Sequence, residues 1–166
     1  MPAATMIQTF VEYHVDMTRR VWDSAGQISE PQFLADDPYS RGSIRNLLVH
    51  MTHTDLRWLT GLKNLPDIGD QLQGYSAYPS RAVAHAYWET VGEDLLGYAK
   101  GLGEAELEQQ PADIPMPRWQ VLLHLVNHGT DHRSTVLQQL HIMGAPTFDQ
   151  DFILWLAAGS VSHRHD

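Results

Sequence analysis

The stretch WQVLLHLVNHGTDHRSTVLQQLHIMG, residues 119–144, decides how this chain folds. Its apolar residues recur at intervals of three and four, which is the period of an α-helix with one buried face. At 100° per residue, a face about 80° wide carries apolar residues together with two histidines: Val121, Leu125, His128, His132, Val136 and Met143. The pattern therefore predicts a long helix whose buried face includes both histidines.

Breaker residues set the ends of this helix and of its neighbours. Three prolines between Pro111 and Pro117 exclude regular structure before the helix, and Gly144 followed by Pro146 is a typical stop signal. The same reasoning predicts, in order, a helix from Ala4 to Ala25, a loop from Gln27 to Gly42, a helix capped by Ser43 that ends near Asn64, a connection from Leu65 to Tyr78, a helix from Ser80 to Gly101, a short acidic turn from Glu104 to Gln110, the helix from Arg118 to about Met143, and a shorter helix that begins at Thr147.

Strands are not expected, because apolar and polar residues never alternate for long and valine and isoleucine are sparse. The expected fold class is all-α, a four-helix bundle with a short additional C-terminal helix, forming a single domain over residues 1–166. The helix that begins at Ser80 is expected to bury Val83, Tyr87, Val91, Leu95 and Tyr98. Four tryptophans on apolar faces are expected to pack in the core rather than hold a cofactor: Trp58, Trp88, Trp119 and Trp155.

Composition narrows the classes of function. The formal charge of -9, without a cluster of basic residues, argues against nucleic acid and against an anionic membrane surface as partners. Because the chain has no cysteine, a metal ion would have to take nitrogen or oxygen ligands. No apolar run approaches the length of a membrane span and the start of the chain lacks a signal-peptide pattern, so the cytoplasm is the expected location.

His128 and His132 are spaced so that two imidazoles on one helical face can converge on one ion. Spacing alone is weak evidence in a chain with ten histidines, and two buried histidines that hydrogen-bond within the core fit the pattern as well. Both interpretations stay open at this point. A zincin of the HExxH type is excluded, because Gly129 follows His128 where that motif has its glutamate.

Two motifs give the chain a resemblance to a known family. LLVHMTHTDLRW, residues 47–58, is similar to a pattern LLxHxxxxxxxW, and HLVNHGTDHR, residues 124–133, is similar to HxxNHxxxHR. Both patterns are typical of the DinB/YfiT-like metalloenzymes, and helix order and lengths agree over nearly the whole chain. Members often read HHRGQ where this chain has residues 131–135, DHRST.

The resemblance implies a four-helix bundle with one divalent metal ion held by His50, His128 and His132, and with water completing the site. Zinc or nickel is the expected metal, and iron or manganese would also accept imidazole. The resemblance further implies a small-molecule substrate, transfer chemistry with a low-molecular-weight thiol as co-substrate, and a homodimer. A metal-dependent hydrolase, or a non-catalytic bundle that binds a small ligand or metal in a stress response, are the alternatives.

Several other polar residues lie in or near the two motifs. Asp55 and Asp131 could each orient a ligand imidazole, although exposed aspartates on helices are the commoner case. His53 is expected at the surface and His124 at the mouth of the site. Nothing marks Ser134 or Thr135 as a nucleophile. His14, His85, His141, His163 and His165 have no assigned role.

Overall fold

The computed structural model describes residues 3–38 and 41–162, and it is helical where the sequence predicts helices. His163 and His165 lie outside the described residues. In chain order the helices are α1 (Ala3–Ala25), α2 (Glu30–Leu34), α3 (Ile44–Leu62), α4 (Arg81–Lys100), α5 (Glu104–Glu108), α6 (Arg118–Ile142) and α7 (Phe152–Ser162), with short 3-10 turns at Gly69–Gln71 and Tyr75–Ala77 between α3 and α4. No strand occurs within these ranges, which confirms the all-α prediction.

Four long helices form the bundle. α1 packs against α6 and α4, and α3 packs against the same two helices, so each long helix has two long neighbours. Their apolar faces bury a continuous core in which Leu47, Leu122 and Leu140 are fully inaccessible to solvent. α3 and α6 run antiparallel, because His50 contacts His132 while Trp58, two turns further along α3, contacts His124.

Serine caps begin the helices that carry the site and its neighbour. The Ser43 hydroxyl accepts the backbone N–H of Asn46, and the Ser80 hydroxyl accepts that of Val83. The cap at Ser43 was predicted from sequence, and Ser80 lies where its helix was predicted to begin. The cap at Ser43 fixes the register of α3 and thereby places His50 two turns into the helix.

Three local predictions were wrong. The predicted loop contains α2, because Ser29 and Gln32 form a reciprocal capping box that stabilises a single turn. The last helix begins at Phe152 rather than Thr147, after a segment that crosses α1. In the first turns of α4 Val83 is 44% exposed, because the buried face there lies one residue further along, at Ala84 and Trp88. Of the other residues predicted to be buried in α4, Val91 and Leu95 are buried and the two tyrosines are half-buried.

The segment that follows α6 is held against α1. Tyr13 donates a hydrogen bond to the carbonyl of Gln150, and the Trp155 indole donates to Asp16. Phe152 stacks on Phe10 with ring centroids 4.4 Å apart. Trp155 and the other three tryptophans expected in the core are buried or half-buried among packed side chains. Within the described ranges, no helix is both long and apolar enough to pass through a membrane.

Candidate metal centre

Three histidines from two helices meet between α3 and α6. One ring nitrogen from each of His50, His128 and His132 lies within 4.8 Å of the other two, and all three side chains are half-buried. The Nε2 atoms of His50 and His128 are 3.3 Å apart. Ring centroids are 4.9 Å apart for His50 and His132 and 4.4 Å for His128 and His132. The residues that the family resemblance implied as ligands therefore lie together.

Helix geometry explains this convergence. His128 and His132 are separated by one turn of α6 and point the same way. His50 projects from the facing helix at their level. A pair of ligand nitrogens, each about 2.1 Å from a tetrahedral ion, would lie about 3.4 Å apart. The 3.3 Å separation of the Nε2 atoms of His50 and His128 fits that requirement.

The three imidazoles are held neutral. Burial lowers the pKa of His50 to about 3, with further contributions from Arg41 and the two neighbouring histidines. Burial and His132 lower the pKa of His128 to about 4, although Asp55 acts in the opposite direction. The pKa of His132 is lowered as well, chiefly by burial. At neutral pH each ring keeps one unprotonated nitrogen, and the neutral imidazole is the form that binds a metal.

Arg41 stands at the solvent side of the cluster. Its Nη2 donates a hydrogen bond of 3.2 Å to Nε2 of His50, the atom closest to His128. Arg41 is exposed, and its guanidinium adds positive charge beside three neutral rings. The Arg41 guanidinium could therefore pair with an anionic group bound at the cluster. Nothing in the sequence pattern singled out Arg41.

The rim of the cluster is aromatic. His124 is exposed, as expected for the mouth of the site, and its ring lies 5.9 Å from His128 and 5.6 Å from Trp58. His53 corrects a prediction, because it is half-buried rather than at the surface. It contacts the Tyr78 hydroxyl at 3.2 Å and packs beside Tyr75. Burial lowers the pKa of His53, so this ring too is neutral.

A buried polar chain runs behind the cluster, and sequence reasoning missed two of its members. Arg133 is fully buried, and its Nη1 lies 3.0 Å from Nδ1 of His14. The other ring nitrogen of His14 lies 3.2 Å from Oδ2 of Asp55. His14 is 2% exposed and Asp55 3% exposed. Polar side chains this deeply buried need hydrogen-bond partners, and each of these three has one.

Gly129 makes room for this chain. A Cβ atom at position 129 would lie 2.3 Å from Cε1 of His14 and 2.8 Å from Nη1 of Arg133. Because real Cβ contacts are longer, α1 can approach α6 here only beside a glycine. The residue that argued against a zincin motif thus has a packing role of its own.

The two aspartates weighed as partners for a ligand imidazole differ in their surroundings. Asp131 is exposed on α6, next to His132, and raises the pKa of that histidine slightly against the effect of burial. Asp55 is buried, and its Oδ1 atom has no hydrogen-bond partner among the described residues. Ser134 donates to the carbonyl of Thr130 and accepts from Gln150, so it is engaged in packing rather than poised as a nucleophile.

Comparison with known proteins identifies the family of the chain. No curated protein matches the chain. The family model described as DinB family matches residues 1–158, which includes all seven helices except the last turn of α7. A three-histidine group able to hold a metal ion lies within the matched region. The chain belongs to the DinB family.

Proposed function

We propose that His50, His128 and His132 bind one divalent transition-metal ion and that the chain is a metal-dependent S-transferase, which joins a low-molecular-weight thiol to a small molecule. The observation that carries the proposal is the convergence of three neutral ring nitrogens from two helices at a half-exposed position. Zinc or nickel is the expected ion, and iron or manganese would also accept these ligands.

Three protein ligands leave at least one coordination position for solvent or substrate, which is the arrangement of catalytic rather than structural sites. An ion there supplies positive charge that favours the anionic, nucleophilic form of a thiol. The chain has no cysteine, so the thiol must come from solution. Its sulfur would form a bond to an electrophilic carbon of the substrate, whose leaving group departs with the bonding electrons, and the thiol proton passes to solvent.

Arg41 would position the anionic partner. Its guanidinium uses the same lone pair of His50 that an ion needs, so the two cannot both occupy Nε2. Once displaced, the exposed guanidinium can pair with a carboxylate of the thiol or of the substrate. In a chain with a formal charge of -9, the site would then be a local region of positive charge.

A groove beyond the rim offers room for the substrate. Trp58, which contacts His124, lines it together with Gly61, Leu65 and Ile114. Arg57 and Asp67 form an ion pair along its edge. An apolar surface with a few charged groups suits a small molecule that has an apolar body and a polar end.

Elemental analysis of the purified protein, before and after chelation, tests the metal site. The wild type should hold one equivalent of metal per chain and regain it on addition of Zn²⁺ or Ni²⁺. His128→Ala should lose it. His124→Ala is the matched control, because His124 lies one turn away on the same helix and outside the cluster. Equal metal content in both variants would exclude this ligand set.

A turnover screen tests the reaction class. The metal-loaded protein is incubated with electrophilic small molecules in the presence and absence of a low-molecular-weight thiol. Product that requires both thiol and metal supports the transferase. Metal-dependent product without thiol would instead indicate the hydrolase, and metal binding without turnover would indicate a non-catalytic binding bundle.

The assembly state follows as a separate part of the proposal. Ile153 and Leu154 of α7 are 64% and 52% exposed, so the last helix offers an apolar face that a second copy could cover. We expect a homodimer by light scattering, and Ile153→Asp should convert it to a monomer. A wild-type monomer would remove the dimer from the proposal and leave the metal site untouched.

A further inference from the structure

Two buried atoms next to the histidine cluster have no hydrogen-bond partner among the described residues. They are Nδ1 of His128 and Oδ1 of Asp55. One belongs to a group that can donate a proton and the other to a group that can only accept one when ionised. Buried polar atoms are nearly always paired, because an unpaired one loses its hydrogen bonds to water without replacement. The two atoms have complementary hydrogen-bonding roles, one as donor and one as acceptor.

The buried chain behind the cluster fixes the direction of its hydrogen bonds. Arg133 can only donate, so Nδ1 of His14 must be the acceptor. The ring proton of neutral His14 then lies on Nε2 and is donated to Oδ2 of Asp55. Arg133 also donates to Thr18, Thr130 and Gln150. One carboxylate oxygen of Asp55 is thus committed, and the other is left to accept.

The register of α3 against α6 places Asp55 at the level of His128. His50 lies opposite His132, and Trp58 lies opposite His124, so position 55 falls between them. His128 lies at the same intermediate level of α6, one turn from each end of this interval. Asp55 also acts electrostatically on His128, opposing the effect of burial on that pKa. Both observations place the carboxylate beside the ring.

We infer that Asp55 is a positioning residue for the metal ligand His128: its free oxygen accepts the Nδ1–H of that ring, directly or through one buried water, and so directs Nε2 to the ion. The inference rests on the proposed metal site. Hydrogen bonds from two sides then meet at Asp55. Arg133 donates to His14 and His14 donates to one oxygen of Asp55, while His128 donates to the other oxygen. A ligand imidazole whose far nitrogen donates to a carboxylate has a fixed tautomer and a more basic metal-binding nitrogen.

The chemistry requires a carboxylate rather than an amide at position 55. Aspartate offers two acceptor oxygens, one for His14 and one for His128. Asparagine offers one oxygen and a second edge that only donates. With asparagine, one of the two ring N–H groups faces another donor. Asp55→Asn therefore keeps the size of the side chain and breaks one connection.

Zinc affinity of the metal-free protein, measured by competition with a chromophoric chelator, tests the inference. Asp55→Asn should bind Zn²⁺ about 10- to 100-fold more weakly than the wild type. Asp131→Asn is the matched control, because it removes the same charge beside another ligand but at an exposed position, and its affinity should be unchanged. Equal affinity of the wild type and Asp55→Asn would overturn the inference.

A second measurement needs no variant at position 55, which keeps the inference testable if Asp55→Asn does not fold. In the zinc-loaded wild type, ¹H–¹⁵N correlations of the imidazoles should show His128 bound through Nε2 with a proton on Nδ1. That proton should exchange with water more slowly than the corresponding proton of His132. Binding through Nδ1, or equally fast exchange at both rings, would contradict the inference.

The same experiments separate this inference from the proposed function. If the wild type binds no metal, the proposed metal site fails and the role of Asp55 toward it fails as well. If the wild type binds zinc through three histidines and Asp55→Asn does so equally well, the metal site stands and only the positioning role is lost.

Discussion

His14 and His128 are the same kind of residue on facing sides of the core, yet their ring nitrogens have opposite roles. Both nitrogens of His14 have fixed protein partners, Arg133 on one side and Asp55 on the other. His128 has one nitrogen without a partner and another that faces the lone pair of His50. A buried histidine with two partners is part of the core. Neutral histidines whose ring nitrogens converge on one point can instead hold an ion.

The largest loss of stability is expected when the hydrogen bond from Arg133 to His14 is removed. Arg133→Met keeps a long apolar side chain but leaves Nδ1 of His14 without a donor and the Asp55 carboxylate without a compensating charge. We expect a loss of about 3–5 kcal/mol in the free energy of unfolding, measured with urea on the metal-free protein.

Arg57→Met is the matched control for this change. Arg57 also pairs with a carboxylate, that of Asp67, but both side chains are more than half exposed. We expect a loss of about 1 kcal/mol or less. Similar losses for the two arginine variants would mean that the buried chain is no more important to the fold than a surface ion pair.

Gly129→Ala tests the close packing of α6 against His14 and Arg133. Alanine normally stabilises a helix interior by about 1 kcal/mol relative to glycine. Here its Cβ would meet His14 at 2.3 Å, so we expect a net loss of about 1–3 kcal/mol from overpacking. Gly97→Ala in α4 is the control, since nothing lies within 4 Å of a Cβ there. That variant should gain stability, and a gain in both would show that His14 yields easily.

The stability of the metal-free protein should depend on pH through His128. His128 has a pKa of about 4 in the folded protein, below its ordinary value of 6.5. Between these values the unfolded chain binds more protons, so stability of the metal-free protein falls as the pH falls. His128→Gln should lose less stability than the wild type between pH 7 and pH 5 in urea unfolding. An identical loss in both proteins would argue against a neutral, desolvated ring at this position.

Replacing Arg41 should change zinc affinity only slightly. Its guanidinium competes with an ion for Nε2 of His50, so Arg41→Gln should tighten zinc binding by about fivefold or less, as befits an exposed charge. Arg45→Gln, two residues into α3, is the control. Weaker binding in Arg41→Gln would mean that the arginine supports the ion rather than competing with it.

Much of the fold could be predicted from sequence because the signals that start, continue and end a helix are local. Apolar period, the caps at Ser43 and Ser80, and the breakers near Pro117 and Gly144 each act within a few residues. The single turn α2 escaped prediction, because it has only five residues, includes Pro31 and shows no apolar period. The start of α7 was misjudged because docking against α1, rather than local propensity, decides where that helix begins.

The site was less predictable for a physical reason. The pair His128 and His132 follows from helical spacing, but His50 came from family resemblance, since no local rule joins residues 78 positions apart. Arg133 and His14 were missed because their contact spans 119 residues. The usable signal was weak: a histidine and an aspartate on otherwise apolar faces, and a glycine inside a helix.

The order of the buried chain along the sequence has a consequence for how the protein is made. Residues 14, 55, 133 and 150 must all be present before Arg133 has its partners. Contacts between residues so far apart in sequence form slowly, because the chain loses conformational entropy on closing the loop before the contact stabilises it. During synthesis, α1 and α3 therefore leave the ribosome with Asp55 and His14 unsupported, and the ligand set is complete only once most of the chain has emerged. Two of the three histidines of the cluster lie on α6, so a nascent chain that ends before α6 carries only His50.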